Sequence, residues 1–379
     1  MTQESRKGLR TWIEIDKSAI AHNMKQFKAL VDKKTKILAV VKSNAYGHGL
    51  VDFSFEVVKA GADWLGVDSI VEALALRKQG IQTPIVVLGY TLPERIDEAV
   101  NQHISLTLSS FEQIPHFVKK GSKTPLAFHI KVDTGMHRQG FLLSEQKKLF
   151  SLLKKYRNVI KVEGLFTHFA SAKNPAFPHY TKSQIAEFDL WRNAFSAAGY
   201  TPIVHASATA GAFLFPEAHF DMVRVGIGLY GLWPAHEVEV VYGKRFPLRP
   251  VLSWRTLVSE VKSVPKGARI GYDGTEMLAR NSRIAVCPVG YWHGYPRALS
   301  SVGTVLVKGK RARVIGRVSM DMITIDVTDI PGVVSGDEVT LIGRQGKEEV
   351  GAKEESAAMD GSYYELVTRI NPSVRRLYV

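Results

Sequence analysis

Eight short apolar runs, separated by stretches of helical or polar character, fill the first two-thirds of the chain and leave few folds open to it. The runs are Ile37–Val41, Trp64–Val67, Ile85–Leu88, Ile104–Leu108, Ala127–Val132, Gly164–His168, Ile203–His205 and Met222–Val225. Apolar runs this short, bounded by turn or charged residues, read as buried strands. Amphipathic segments lie between and before them. Ile185, Phe188 and Trp191 fall at helical spacing within Gln184–Phe195, and Ile20, Met24, Phe27 and Val31 form a stripe ahead of the first run. Strands alternating with helices build a parallel sheet, and eight of them fit a closed (β/α)8 barrel. A doubly wound open sheet is the structural alternative.

Near Lys244 the pattern changes. From Val251 onward, short β-rich runs such as Thr256–Val258, Ile284–Val286, Gly303–Val307 and Ile323–Val327 are divided by turn signals, among them Lys308-Gly309-Lys310 and Ser335-Gly336-Asp337. The division expected is a barrel over 10–245 and a mostly β domain over 246–379, of roughly 130 residues. Leu9–Asp16 alternates like a strand, so the segment 1–16 is expected to join the second domain. There is no internal repeat and no low-complexity tract.

The apolar fraction of 45% and charged fraction of 23% are those of an ordinary globular protein. No apolar run is long enough to span a bilayer, the first residues are polar, and Cys287 is the only cysteine. These features favour a cytoplasmic protein without disulfides. The formal charge of +14 is spread along the chain and often faces acids, as in Glu94-Arg95, so nucleic acid is not an expected partner. Neither is a membrane, and no metal site is expected.

Barrel enzymes place their chemistry at the C-terminal ends of the strands. There this chain has Lys42 and Tyr46 after run one, Lys131 to Arg138 around run five, His168 at run six, Ser207-Ala208-Thr209 after run seven, and Arg224 with Gly226-Ile227-Gly228 at run eight. A lysine at the end of a buried strand is in an unusual place, because losing its hydration is costly. Partly desolvated, its amine becomes a nucleophile of the kind imine chemistry needs. The plain alternative is a lysine that snorkels to water. Thr209 offers a hydroxyl, and the glycines allow backbone N–H groups to approach an anion.

These residues sit in motifs that together resemble the pyridoxal-phosphate-dependent alanine racemases over nearly the whole chain. The motifs are Ala39-Val40-Val41-Lys42 through Tyr46-Gly47-His48-Gly49, Val132-Asp133-Thr134-Gly135-Met136-His137-Arg138, His205-Ala206-Ser207-Ala208-Thr209 and Met222-Val223-Arg224-Val225-Gly226-Ile227. Gly271-Tyr272-Asp273-Gly274-Thr275, Met320-Asp321 and Tyr363-Tyr364-Glu365 complete the set.

The resemblance implies that L- and D-alanine are interconverted by two-base proton transfer at the α-carbon of a pyridoxal 5'-phosphate aldimine. The D-alanine would serve peptidoglycan synthesis, or the reverse reaction alanine catabolism. Lys42 would hold the cofactor and act on one face. Tyr272, from the second subunit of a homodimer, would act on the other. Arg224 would face the pyridine nitrogen, which an arginine cannot deprotonate, and His168 would lie against the ring. Tyr46, Thr209, Gly226, Ile227 and Tyr364 match phosphate contacts. Arg138 and the backbone of Met320 match groups that hold the substrate carboxylate, with Asp321 beside them. Lys131 matches a lysine that is carbamylated in many relatives; a simple pairing with Asp133 is the alternative. Tyr272, Tyr291, Arg297, Arg317 and Tyr364 match residues lining a narrow access channel, which would favour alanine and admit serine slowly.

Two departures stand out. His293, in Gly290-Tyr291-Trp292-His293-Gly294-Tyr295, occupies a position where relatives usually carry aspartate. Ala208 and Thr209 replace an asparagine and a serine, with the hydroxyl kept. The competing readings are a broad-spectrum amino-acid racemase, a barrel-type decarboxylase of basic amino acids, and a non-catalytic pyridoxal-phosphate-binding protein. The single cysteine, the polar first residues and Lys131 disfavour the first, Arg224 and the position of Cys287 the second, and the β-rich tail containing Tyr272 the third.

Overall fold

The computed structural model describes residues 6–119 and 125–379, so the first five residues of the segment 1–16 lie outside the described residues. The first strand, β1 (Thr11–Ile15), takes no part in the barrel. Eight described strands do: β2 (Lys36–Val40), β3 (Trp64–Val67), β4 (Ile85–Val87), β5 (Ile104–Leu108), β6 (Leu126–Lys131), β7 (Ile160–Phe166), β8 (Ile203–His205) and β9 (Met222–Val225). They run in the order β8-β7-β6-β5-β4-β3-β2-β9 with every pairing parallel. Between β8 and β9 the ring meets through the parallel bridge Ala208↔Arg224, with Arg224 N donating to Ser207 O at 2.9 Å. Strands β3, β4 and β5 are buried throughout; β3 and β4 accordingly appear in the sequence as unbroken apolar runs, while β5 carries Ser105 and Thr107 between its apolar residues.

Two elements of the barrel differ by more than one residue at an end from the sequence expectation. β7 begins at Ile160, four residues before the apolar run, because Lys161 and Glu163 interrupt its apolar pattern; His168 falls just beyond its end. The helix expected over Gln184–Phe195 runs from His179 to Ala197, burying Ile185, Phe188, Trp191 and Phe195.

The barrel unit comprises Ser18–Ala45 and Leu50–Arg249. The second unit contains Pro250–Val379, the segment up to Lys17, and Tyr46–Gly49. In it, β1 lies between two strands of very different sequence position. It pairs antiparallel with β10 (Leu252–Leu257), Ile13 opposite Trp254, and parallel with Arg375–Tyr378, Ile13 opposite Arg376. The strand-like alternation of Leu9–Asp16 thus becomes the seam of a mostly antiparallel sheet. Lys308 (φ 50°) and Gly309 (φ 69°) form the two-residue turn joining Thr304–Val307 to Lys310–Ile315. Positive φ at both positions matches the right-handed twist of the flanking strands. Ile270, Leu278, Ile284 and Ile315 make an apolar cluster in this unit, with Val264 and Ala268 packed against it.

Candidate active site

The chain after β2 does not form an ordinary loop. Ser43, Asn44 and Ala45 hold left-handed helical angles (φ/ψ 57/53°, 55/43° and 50/54°), and Tyr46 follows at φ 50°. A left-handed conformation costs an L-residue about 1–2 kcal/mol, so four in succession need outside support. On the barrel side Glu72 supplies it, accepting from Asn44 N at 3.1 Å and Asp68 N at 2.9 Å, while Asn44 Oδ1 accepts from Leu50 N at 2.9 Å. Within the second unit, Arg376 donates twice to Gly47 O, at 3.1 and 2.8 Å, and the Tyr378 hydroxyl donates to His48 O at 2.9 Å. Gly47 must be glycine, since a Cβ there would sit 2.0 Å from Val367 O.

Lys42 is less desolvated than its strand-end position leads one to expect. Its side chain is 38% exposed, and Nζ lies 3.3 Å from Asp68 Oδ1. Asp68 and Glu72 escape a motif search; their signal is position, since Asp68 follows directly on β3 and Glu72 stands in the first turn of the helix Ile70–Lys78 after it.

Arg224 is the fixed point of the barrel mouth. Only 3% exposed, it donates from Nη1 to His205 O (3.1 Å) and His205 Nδ1 (2.9 Å). From Nη2 it donates to Ala206 O (2.7 Å), Thr167 O (2.8 Å) and His168 Nδ1 (3.1 Å). Burial, with help from Arg138, pulls the guanidinium down to about 9, which leaves it cationic at neutral pH. Burial and the surrounding cations, Arg224 first among them, push His168 down to about 3, so it is a neutral imidazole. Since Arg224 can only donate, His168 Nδ1 must accept and its proton sits on Nε2.

Thr209 Oγ1 accepts from Gly226 N at 3.2 Å and Gly228 N at 3.5 Å. With its lone pairs engaged, the hydroxyl proton is left to donate elsewhere. Gly228 has no room for a side chain: a Cβ would approach Phe27 to 2.4 Å and Thr209 Cγ2 to 2.9 Å.

Lys131 is buried and donates to Gln139 Oε1 at 3.4 Å. Asp133 does not serve as its close partner; its Oδ1 accepts from Gly135 N and His137 N at 2.9 and 3.0 Å, shaping the turn that carries the exposed Arg138. Burial and then the Arg138, Arg224 and Lys42 cations lower the Lys131 amine to about 8, against the opposing pull of Asp133.

In the second unit, Tyr272, Tyr291, Arg297 and Arg317 line one open cavity of about 980 Å³. Tyr272 is 69% exposed on a turn entered through Gly271 (φ 70°), and Arg317 Nε pairs with Asp273 Oδ2 at 3.2 Å. Tyr364 meets Tyr46, ring centroids 6.4 Å apart, instead of lining that cavity. Burial pushes the Tyr46 phenol up to about 12 and raises Tyr364 further, so both stay protonated donors. Met320 O accepts from Trp292 N at 2.9 Å, and Asp321 beside it is half-buried. His293 is buried, and its Nδ1 accepts from Gly290 N at 3.2 Å. It therefore supplies a hydrogen-bond acceptor, as a carboxylate would. Burial lowers its basicity, so it brings no fixed charge.

A parallel eight-stranded barrel with a lysine, a buried arginine and a neutral histidine at its mouth, joined to a β-rich unit, defines a two-domain barrel enzyme. The family model for the alanine racemase N-terminal domain matches residues 15–234, and that for the alanine racemase C-terminal domain matches residues 251–378. The chain belongs to the alanine racemase family and is an isomerase. It is 41% identical over 377 residues to the alanine racemase of Symbiobacterium thermophilum, covering 98% of each chain. It is also 41% identical to that of Methanococcus maripaludis, over 97% of this chain and 98% of the other. A crystal structure of alanine racemase from Bacillus anthracis with bound L-Ala-P has the same fold, with a TM-score of 0.90 and 36% identity over 98% of this chain and 95% of the other.

Proposed function

We propose that this chain interconverts L- and D-alanine using pyridoxal 5'-phosphate, as a cytoplasmic homodimer with shared sites. The observation that carries the reading is the locked, cationic Arg224 at a barrel mouth that also holds a lysine amine. The donor set fits the cofactor. Lys42 has the primary amine that can hold an aldehyde. Thr209, Gly226, Ile227, Tyr46 and Tyr364 are neutral donors suited to a phosphate. Arg224 is a cation that cannot take a proton from, or restore one to, a pyridine nitrogen.

When bound, the cofactor supplies a sink for the electron pair left at the substrate α-carbon. Lys42 Nζ holds the cofactor and moves the α-proton on one face; Tyr272 of the partner subunit moves it on the other. Two bases on opposite faces are what inversion requires. Arg224 keeps the sink modest and so limits side reactions. His168 orients against Arg224 through Nδ1. Arg138 and the N–H of Met320 hold the substrate carboxylate, with Asp321 beside them, and Arg138 is oriented by Lys131. An amine lowered to about 8 is partly uncharged near neutrality, the form that adds carbon dioxide. Its carbamate would add ~44 Da to the native peptide carrying Lys131. Tyr291, Arg297 and Arg317 restrict access to small amino acids, a discrimination worth ~1–3 kcal/mol per methylene. The D-alanine formed serves peptidoglycan synthesis, or the reverse reaction serves alanine catabolism.

The test is a chiral product assay on purified protein with the cofactor and L-alanine, with L-serine and L-lysine in parallel. An equal mixture of alanine enantiomers with little product from lysine is expected. A coloured protein that makes no D-amino acid, or one that racemises lysine equally well, overturns the reading.

A further inference from the structure

We propose that Glu163 is the remote counter-charge of Arg224, coupled to it across the barrel interior through His129 and His205, and that these three are positioning residues for the guanidinium.

Arg224 presents a problem that its immediate contacts do not solve. A buried cation is costly without a countering charge. Its partners are three carbonyls and two imidazole nitrogens, with no carboxylate among them. One of those imidazoles continues inward. His205 Nδ1 accepts from Arg224, so the proton of the neutral ring is on Nε2. His205 Nε2 lies 2.8 Å from His129 Nδ1 and donates to it. His129 is therefore also an Nε2–H tautomer. Its Nε2 is buried, makes no hydrogen bond, and faces Glu163 Oε2 at 3.7 Å, an electrostatic approach. Glu163 in turn accepts from the Ser105 hydroxyl and pairs with Lys161 Nζ at 3.5 Å. Every donor in the line points from the cation toward the anion. Such an aligned series polarises in one direction.

The backbone is shaped for this line. The β6–β7 register shifts between Phe128 and His129: Phe128 lies opposite Val162 and His129 opposite Gly164, so Glu163 is the extra, bulged residue. A bulge redirects a side chain. Gly164 leaves the room that His129 fills, since a Cβ there would come within 2.3 Å of Nδ1 and 2.5 Å of Cγ. Phe166 stacks on His205 (4.8 Å, 5°) and Trp64 abuts His129 edge-on (5.2 Å), fixing both rings. Burial lowers the basicity of both imidazoles, in keeping with neutral rings. Glu163 is held at about 2: burial raises it, but His129 and Ser105 outweigh that, so it is ionised.

The tautomers stand on the barrel alone; the kinetic consequence rests on the role given above to Arg224. The experiment reads both. In histidine-15N-labelled enzyme, with and without cofactor, His129 and His205 should both be neutral and protonated on Nε2. Glu163→Gln, which keeps shape and removes charge, should move both sets of 15N shifts and lower kcat about 2- to 30-fold with KM little changed. Gly164→Ala should reproduce the pattern by displacing His129. In an Arg224→Lys background, Glu163→Gln should add nothing further, as expected when one residue acts through the other. An Nδ1–H or doubly protonated ring, or 15N shifts indifferent to Glu163→Gln, overturns the proposal. Shifts that move while kcat does not would sustain the coupling and count against the catalytic reading of Arg224.

Discussion

In the β-rich unit, Ile270, Leu278, Ile284 and Ile315 close on one another as hydrocarbon, whereas the barrel closes around Arg224, His205, His129 and Lys131. The first arrangement gains about 25 cal/mol for each Å² of apolar surface removed from water and asks only for shape. The second gains little net stability, because each polar group gives up water for a partner in the fold. It does hold a cation at fixed position. The contrast teaches that a polar interior of this kind is costly to break yet contributes little as a support. Its use lies in where it places charge.

Two substitutions sharpen the contrast. Arg224→Ala should have the larger effect. It strips the donors from Thr167 O, His205 O, Ala206 O and two imidazole nitrogens at once, at about 1–3 kcal/mol for each buried acceptor left without a partner. Urea unfolding should register this, and racemisation should disappear in the protein that remains folded. Ile315→Val should cost about 0.5–1.5 kcal/mol and leave turnover per folded molecule unchanged. Equal costs for the two, or a turnover defect from the isoleucine change, would erase the distinction between the interiors.

How much of this was legible in the sequence depends on what each residue is next to. The barrel strands announced themselves because β3 and β4 are buried on both faces and apolar throughout, and β5, equally buried, departs from that only at Ser105 and Thr107. β7 was only half legible, since its bulged Glu163 and the exposed Lys161 broke the run. Lys42, Arg224 and Thr209 could be picked out because each stands at the end of such a strand. The groups supporting them could not. Glu72 and Arg376 act through backbone N–H groups, a carbonyl and a left-handed turn, and Asp68 through a single ion pair with Lys42, none of which has a residue-type signature. His129 and Lys131, two apart on β6, did carry one: residues at that spacing share a strand face, and two titratable groups on the inner face of a barrel strand mark a polar interior. Tyr272 sits on an exposed turn beyond any periodic element, and only its surrounding motif singled it out.

The central claim is that the α-proton is handled by Lys42 on one face and by Tyr272 of the partner subunit on the other. The most direct test is α-proton exchange of L- and D-alanine in deuterated water with Tyr272→Phe holoenzyme, alongside a chiral assay. The account predicts that racemisation is lost while the α-proton of one enantiomer, and only one, still exchanges through Lys42. Racemisation continuing at the unaltered rate, or equal exchange from both enantiomers, would contradict it.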